Sequence, residues 1–254
     1  MRDLDFSELS SKIQNWIKDY VKNANADKVI LGLSGGIDSA VTAALCTKAL
    51  GNQNVSGLIL PCESISTDIV DAEMVAGNLG IKKYIIDLTP IYIEFLSYMP
   101  IEDKFSKLAK ANLKVRLRMV TLYYFCQILG TCLVAGTGNR AEMAIGYFTK
   151  YGDGGVDFEP LGLLYKSEVR GLAKVLHIPE KIIKKAPSPG LWPGQTDESE
   201  IGLSYDTIDE ILYRIDYNLN FDGLDVGDVN KVRELVRKAT HKLQPPPSYL
   251  IQRD

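Results

Sequence analysis

The chain has 254 residues, 46% of them hydrophobic and 24% charged, proportions that fit a globular protein and not a disordered, collagen-like or disulfide-scaffold chain. The net charge is −3, from 29 Lys and Arg against 32 Asp and Glu. It argues against general nucleic-acid binding, which draws on a basic surplus, so an anionic ligand must be held by a few local cations or by backbone N–H groups. No apolar run reaches the roughly 18 residues that span a bilayer, and the opening MRDLDFSELSSK lacks the apolar stretch of a secretory signal, so neither a membrane span nor a secretory leader is expected.

Residues 6–21 place Phe6, Leu9, Ile13, Trp16, Ile17, Tyr20 and Val21 at helical spacing, with Asp5 and Glu8 positioned to form a capping box. KVILGLS (28–34) reads as a buried strand running into SGGIDS (34–39) and a helix, SAVTAALCTKAL, stopped by Gly51. VSGLILP (55–61) reads as a second strand, 67–79 as a helix and KYIIDL (83–88) as a third strand. Residues 105–129 follow as a long helix, then TCLVAGTG (131–138) as a fourth strand, with NRAEMAIG opening a helix. Near-continuous apolar strands alternating with helices predict an α/β fold, a doubly wound parallel sheet covered on both faces. Ligands of such sheets sit at the carboxyl ends of the strands, where 34–39 and 136–142 both lie. Residues 147–165 and 186–203 read as long loops, a length associated with function. A helix begins at Lys166, two more are expected at 205–219 and 228–242, and a Pro-rich tail closes the chain. With no repeat and no low-complexity linker, residues 1–254 are expected to form one domain.

The segment Leu33-Ser34-Gly35-Gly36-Ile37-Asp38-Ser39 carries the strongest chemical signal. Paired glycines let the backbone approach a phosphate, and the following helix start offers free N–H groups at a positive dipole end. Ser34 and Ser39 add hydroxyls. Asp38 would repel a phosphate unless it holds a divalent cation bridging to it; the plainer alternative is a tight turn with Asp38 in a first helical turn. The chain has no GxxxxGK[ST], so a γ-phosphate cradle of that type is not indicated. The segment resembles the SGGxDS pyrophosphate loop of the N-type ATP pyrophosphatases, which cleave ATP between the α and β phosphates.

Gly136-Thr137-Gly138-Asn139-Arg140-Ala141 matches a G-x-G-x-x-A dinucleotide fingerprint, with Asp157 at about the right distance. That acid should end a second strand, and the intervening YFTKYGDGG is not strand-like. Taken whole as GTGNRAE, the segment instead brings Thr137 and Glu142 to the sheet edge that carries Asp38. Two carboxylates near phosphates suit Mg²⁺, although Glu142 alone also reads as an ordinary first-turn carboxylate.

With GYFTKYGDGGVD (146–157) following, the sequence resembles the ammonia-dependent NAD synthetases from about residue 12 to His241-Lys242. The resemblance implies amidation of deamido-NAD with ammonia, ATP as co-substrate, Mg²⁺, and a homodimer with the dinucleotide near the subunit interface. It places the ATP contacts on Gly32, Leu33, Ser34, Gly35, Gly36, Ile37, Asp38 and Ser39, on Thr137 and Lys166, and on Ser188, where the family usually has threonine. It places Mg²⁺ on Asp38 and Glu142, and deamido-NAD on Arg116, Lys150, Asp157, His241 and Lys242. Asp38, Lys166 and Ser188 are the residues expected to act on the leaving pyrophosphate.

The residues allow this. Arg116 and Arg118 straddle one residue and face different sides of a helix, so one can reach a ligand phosphate while the other pairs with a surface acid. Lys166 at a helix start is unfavourable for the dipole, which a phosphate partner would explain. Lys184 and Lys185 read as solvated helix-end charges, and His177 as structural. Cys46, Cys62, Cys126 and Cys132 form no CxxC pair and read as buried thiols of a reducing, cytoplasmic compartment. Only Cys62, at a strand end near the nucleotide loop, invites a test as an amidase nucleophile. Other amidating or thiolating enzymes with the same loop, acting on a purine nucleotide or a tRNA base, and a non-catalytic nucleotide sensor are the alternatives.

Overall fold

The computed structural model describes residues 2–99, 107–188, 190 and 196–249. Helix α1 (Phe6–Asn23) starts at Asp5, whose carboxylate accepts from the N–H groups of Ser7 and Glu8. The expected reciprocal bond gives way to a pair between Glu8 and Lys12 at 2.7 Å. Strand β1 (Lys28–Gly32) leads into α2 (Ile37–Leu50), and β2 (Val55–Ile59) into α3 (Ser66–Leu79). After β3 (Lys82–Ile85) comes α4 (Thr89–Ser97), which the periodicity does not reveal, then α5 (Lys107–Ile128), β4 (Cys132–Val134) and the short α6 (Arg140–Ile145). The carboxyl-terminal part adds α7 (Lys166–Val175), α8 (Glu180–Ile183), α9 (Asp197–Ile201), α10 (Tyr205–Asp216) and α11 (Val226–Leu243). The expected 186–203 loop is therefore interrupted by α9, and residues 189 and 191–195 within it lie outside the described residues.

The sheet is parallel, as the alternation of strands and helices predicts, and its strand order is β3-β2-β1-β4. Successive strand residues point to opposite faces, and the packing follows. Val29 and Leu31 join one core with Ile17 of α1, Ala44 of α2 and Leu172 of α7. Ile30 and Leu58 join the opposite core with Tyr92 of α4 and Cys126 of α5. A third cluster, built from Ala144 of α6, Ile208 and Leu212 of α10 and Val232 of α11, packs beyond the sheet's carboxyl edge. That cluster fixes α6, α10 and α11 beside the loops that leave β1 and β4. Asp157 does not end a second strand, as a dinucleotide fingerprint requires; only a single parallel bridge forms there, between Ala135 and Phe158.

Candidate active site

The loop after β1 is held by its own hydroxyls. Ser34 Oγ accepts from Gly36 N at 3.2 Å and lies 3.1 Å from Ser39 Oγ, which in turn donates to Gly36 O at 3.1 Å. Gly36 caps α2 without a side-chain bond, so the first N–H groups of the helix remain available to an anion. Gly35 has φ +77, and a Cβ there would lie 2.4 Å from Asp68 O; the turn thus needs glycine for both its backbone angle and its closeness to α3.

Asp38, in the first turn of α2, meets Asn139, the cap of α6, and Lys166 of α7. Its Oδ1 accepts from Asn139 Nδ2 at 3.1 Å, and its Oδ2 accepts from Lys166 Nζ. Asn139 also caps α6 in a full capping box: its Oδ1 accepts from Glu142 N at 3.1 Å while Glu142 Oε2 accepts from Asn139 N at 3.2 Å. Lys166 Nζ, whose side chain is 2% exposed, stands 3.6 Å from Glu142 Oε1. The ammonium also lies over the ring of Tyr205, 4.8 Å from its centroid. Tyr205 Oη has one proton and two carboxylate neighbours, Asp197 Oδ2 at 2.7 Å and Glu142 Oε1 at 3.2 Å. Asp209 of α10 orients the helix that carries Lys166, its carboxylate accepting from the N–H groups of Lys166 (3.2 Å) and Ser167 (2.9 Å).

Burial pushes the Glu142 carboxyl up to about 8 despite the attraction of Lys166, with Asp38 and Asp197 adding to the rise. For Lys166, burial opposes the charge, but Asp38 and Glu142 outweigh it and hold the ammonium above its ordinary range. The cation at the start of α7 thus has carboxylate partners, where the sequence led us to expect a phosphate. Asp38 and Glu142 supply hard oxygen donors at one point. Among the described residues no three His, Cys, Asp or Glu side chains form a metal cage, so a cation held by this pair would complete its shell with phosphate oxygens and water.

A second group gathers predicted dinucleotide contacts. Arg116 Nη2 donates to Lys150 O at 3.3 Å, and Lys150 Nζ donates to His241 O at 2.5 Å. Lys242 Nζ donates to the carbonyls of Gly146 (2.7 Å) and Phe148 (2.8 Å), tying α11 to the GYFTKYGDGG loop. Asp157 makes other contacts: its carboxylate accepts from Val134 N at 2.7 Å and from Tyr123 Oη at 3.1 Å, fastening the loop to β4. Thr137 is half-buried between two glycines, and a Cβ on Gly136 would fall 2.2 Å from the Glu159 carboxyl carbon. Ser188 Oγ accepts from Gly190 N at 3.1 Å.

Two expectations are corrected. Among the described residues Arg118 pairs with no surface acid; it reaches inward to Leu60 O at 3.0 Å and Ser64 Oγ at 3.2 Å. Lys184 is solvated, but Lys185 is not: its ammonium donates to Gly35 O, Asp68 and Asp71. Asn139, Tyr205 and Asp197 belong to the site and were not singled out by their sequence, although N-x-x-E is a capping-box signature. The thiols are as expected: Cys46, Cys62 and Cys126 are buried and Cys132 half-buried, all free, with burial raising Cys46 to about 12 and Cys62 above its ordinary value.

The NAD synthase family model matches residues 9–246. The chain is 45% identical over 250 residues to the NH3-dependent NAD(+) synthetase of Methanocaldococcus jannaschii, covering 95% of this chain and 96% of the relative. Its fold is similar to that of an NMN synthetase from Francisella tularensis, with TM-score 0.89, 37% identity and coverage of 98% of this chain and 100% of the other. It is also similar to an NH3-dependent NAD synthetase from Campylobacter jejuni, with TM-score 0.84, 32% identity and the same coverage. A sheet-edge loop of hydroxyls and free N–H groups, facing two carboxylates joined by one buried ammonium, thus occurs in a chain that belongs to the NAD synthase family.

Proposed function

We propose that the Asp38–Lys166–Glu142 site carries out the ATP-dependent amidation of deamido-NAD with ammonia, giving NAD, AMP and pyrophosphate. The observation that carries this is the meeting of Asp38 and Glu142 on Lys166 beside the SGGIDS loop. In the first step the pyridine carboxylate attacks the α-phosphorus of ATP and pyrophosphate leaves. In the second, ammonia attacks the acyl-adenylate carbonyl and AMP leaves. No protein nucleophile is needed, because adenylation supplies the leaving group. The protein's contribution is positioning and charge stabilisation.

The loop of residues 32–39 with the free N–H groups at the start of α2, the hydroxyls of Ser34, Ser39, Thr137 and Ser188, and the Lys166 ammonium bind the triphosphate. Arg116, Lys150, His241 and Lys242 hold the dinucleotide; Asp157 acts from the loop that closes on β4. The donor set fits Mg²⁺: both carboxylates offer oxygens, and the buried Asp197 Oδ1 beside them has no hydrogen-bond partner among the described residues. Asp38 and Glu142 would hold the ion, which supplies neutralisation of the charge growing on pyrophosphate.

A homodimer is supported by an exposed apolar face on α5, where Val120, Tyr124 and Ile128 recur every fourth residue at 58%, 63% and 61% exposure, and α4 also exposes Ile91 and Phe95. No helix among the described residues is long and apolar enough to cross a membrane, and the free thiols suit a cytoplasmic enzyme.

The test is pyrophosphate–ATP exchange with deamido-NAD, the acid form of NMN, a purine nucleotide or tRNA as acceptor. Exchange should depend on deamido-NAD and be nearly abolished by Asp38→Asn. The Francisella name makes the mononucleotide the second reading, and preferential exchange with it would replace deamido-NAD as the substrate. Exchange equal in Asp38→Asn and wild type would remove the loop from the chemistry.

A further inference from the structure

The start of α3 and the end of α8 meet on the outer side of the SGGIDS loop. Lys185 Nζ has three acceptors there: Gly35 O at 3.1 Å, Asp68 Oδ1 at 2.8 Å and Asp71 Oδ2 at 2.7 Å. Asp71 is 1% exposed and also pairs with Lys181 at 2.6 Å. An ammonium has three protons, so Lys185 is saturated by protein and has none left for a ligand.

The consequence lies on the other side of a peptide bond. In a trans peptide the carbonyl of one residue and the N–H of the next point in opposite directions. Gly35 O is turned outward to Lys185, so Gly36 N–H is turned inward, where it meets Ser34 Oγ at 3.2 Å. Ser34 Oγ in turn contacts Ser39 Oγ at 3.1 Å. Gly35, at φ +77, has no side chain to resist rotation of this peptide. Lys185 also lies three residues before Ser188, and a Cβ on Gly190 would fall 3.1 Å from Asp68 Oδ2. Asp68 thus lies against both the phosphate loop and the segment that carries Ser188.

We propose that Lys185, with Asp68 and Asp71, is a positioning clamp for ATP: it fixes the Gly35–Gly36 peptide so that the loop N–H and hydroxyl groups face the triphosphate, and ties the Ser188 segment to the same loop. The proposal rests on residues 32–39 being the pyrophosphate loop. The two lysines balance the two acids, so the clamp adds no net charge beside an anionic ligand. Loss of Lys185 both frees the peptide and leaves the acids undercompensated near the phosphates.

The experiment measures KM and kcat separately for ATP and deamido-NAD in Lys185→Met, Lys185→Arg, Asp71→Asn and the exposed neighbour Lys184→Met, below each variant's thermal midpoint. Lys185→Met should raise the ATP KM by about tenfold or more, the effect of losing charge-assisted hydrogen bonds, while the deamido-NAD KM stays within about twofold. Lys185→Arg should restore part of the loss, Asp71→Asn should raise the ATP KM in the same direction, and Lys184→Met should match wild type. If Lys185→Met does not fold, Asp71→Asn decides alone. An ATP KM unchanged in folded Lys185→Met overturns the clamp, and so does tighter ATP binding by Asp71→Asn, which would mean that a freed Lys185 contacts the phosphate itself. Asp38→Asn assayed alongside separates the two failures: its inactivity, with ATP KM unchanged in Lys185→Met, leaves the loop in place and removes only the clamp.

Discussion

Glu142→Gln should separate stability from activity through its pH dependence. Glu142 titrates at about 8 in the folded, unliganded protein against an ordinary 4.5. An unfolded chain therefore releases this proton above pH 4.5 while the folded chain keeps it until about 8. Unfolding is favoured as pH rises through that window; the destabilisation is absent below it and complete above it. At ~1.4 kcal/mol per pH unit, the interval sets a ceiling of roughly 5 kcal/mol. Side-chain relaxation reduces what is felt, and we expect about 2 kcal/mol. Glutamine keeps an oxygen to accept from Asn139 N but has no proton to lose in this range. The attraction between the ionised carboxylate and Lys166 is already contained in the raised value, and Lys166 stays charged throughout, so it adds no further pH dependence. The difference in unfolding free energy between variant and wild type should therefore move in the variant's favour by about 2 kcal/mol between pH 5 and 8.5. Urea unfolding followed by circular dichroism at these pH values reads it directly. Turnover should be nearly abolished over the same range, and saturating Mg²⁺ and ATP, which favour the ionised carboxylate, should remove the wild-type slope. A variant-minus-wild-type difference flat to within about 0.5 kcal/mol would refute the reasoning.

Gly35→Ala should be poorly tolerated: the positive φ costs about 1–2 kcal/mol, the Cβ meets Asp68 O at 2.4 Å, and calorimetry should show a lowered midpoint together with a raised ATP KM. Asp38→Asn should slow turnover more than it weakens ATP binding, since charge on pyrophosphate grows in the transition state; parallel losses in equilibrium binding and kcat would contradict this. Tyr124→Glu, on the apolar face of α5, should shift sedimentation from dimer to monomer, and an unchanged profile would remove that face from the interface. Amide formation should be driven by ammonium salt and rise with pH as neutral ammonia becomes more abundant, whereas stoichiometric glutamate release from glutamine, lost on Cys62→Ser, would show an amidase.

The sheet was legible because β1 and β2 are buried on both faces and read as short apolar runs, and the alternation with helices implied parallel pairing; the strand order was not legible. The strand ends were less clear than the strands. TCLVAGTG looks like one strand, but β4 stops at Val134 because Gly136 and Gly138 must approach the Glu159 carboxylate. Helix α4 was missed because Ile91, Tyr92, Ile93 and Phe95 are strand-like residues, and the sign that favoured a helix was Pro90 in its first turn. Helix α9 sits where a loop was expected, although Thr196 accepts from Ser199 N as its cap; five residues are too few for periodicity to register.

Within the site, the sequence revealed the residues that a motif holds together and concealed those that the fold brings in. Asp38, Thr137 and Glu142 sit in GGIDS and GTGNRAE. Tyr205 and Asp197 reach Glu142 and Lys166 only because α9 and α10 pack beside α6 and α7. Lys185 looked solvated because its partners lie 114 and 117 residues earlier. The two charge clusters also differ in a way that no local pattern encodes. Lys181 and Lys185 meet Asp68 and Asp71, two charges against two, and the Asp71 carboxyl, although burial opposes its charge, is held below its ordinary range. Asp38 and Glu142 share a single Lys166, with Asp197 beyond them on Tyr205, and burial raises both Glu142 and Asp197. A cluster that serves the fold can be neutral by itself, as the first is. One whose carboxylates are left undercompensated by their own chain is in the state that a bound cation would relieve, which favours the proposed Mg²⁺ site at the second cluster and the proposed positioning role for the first.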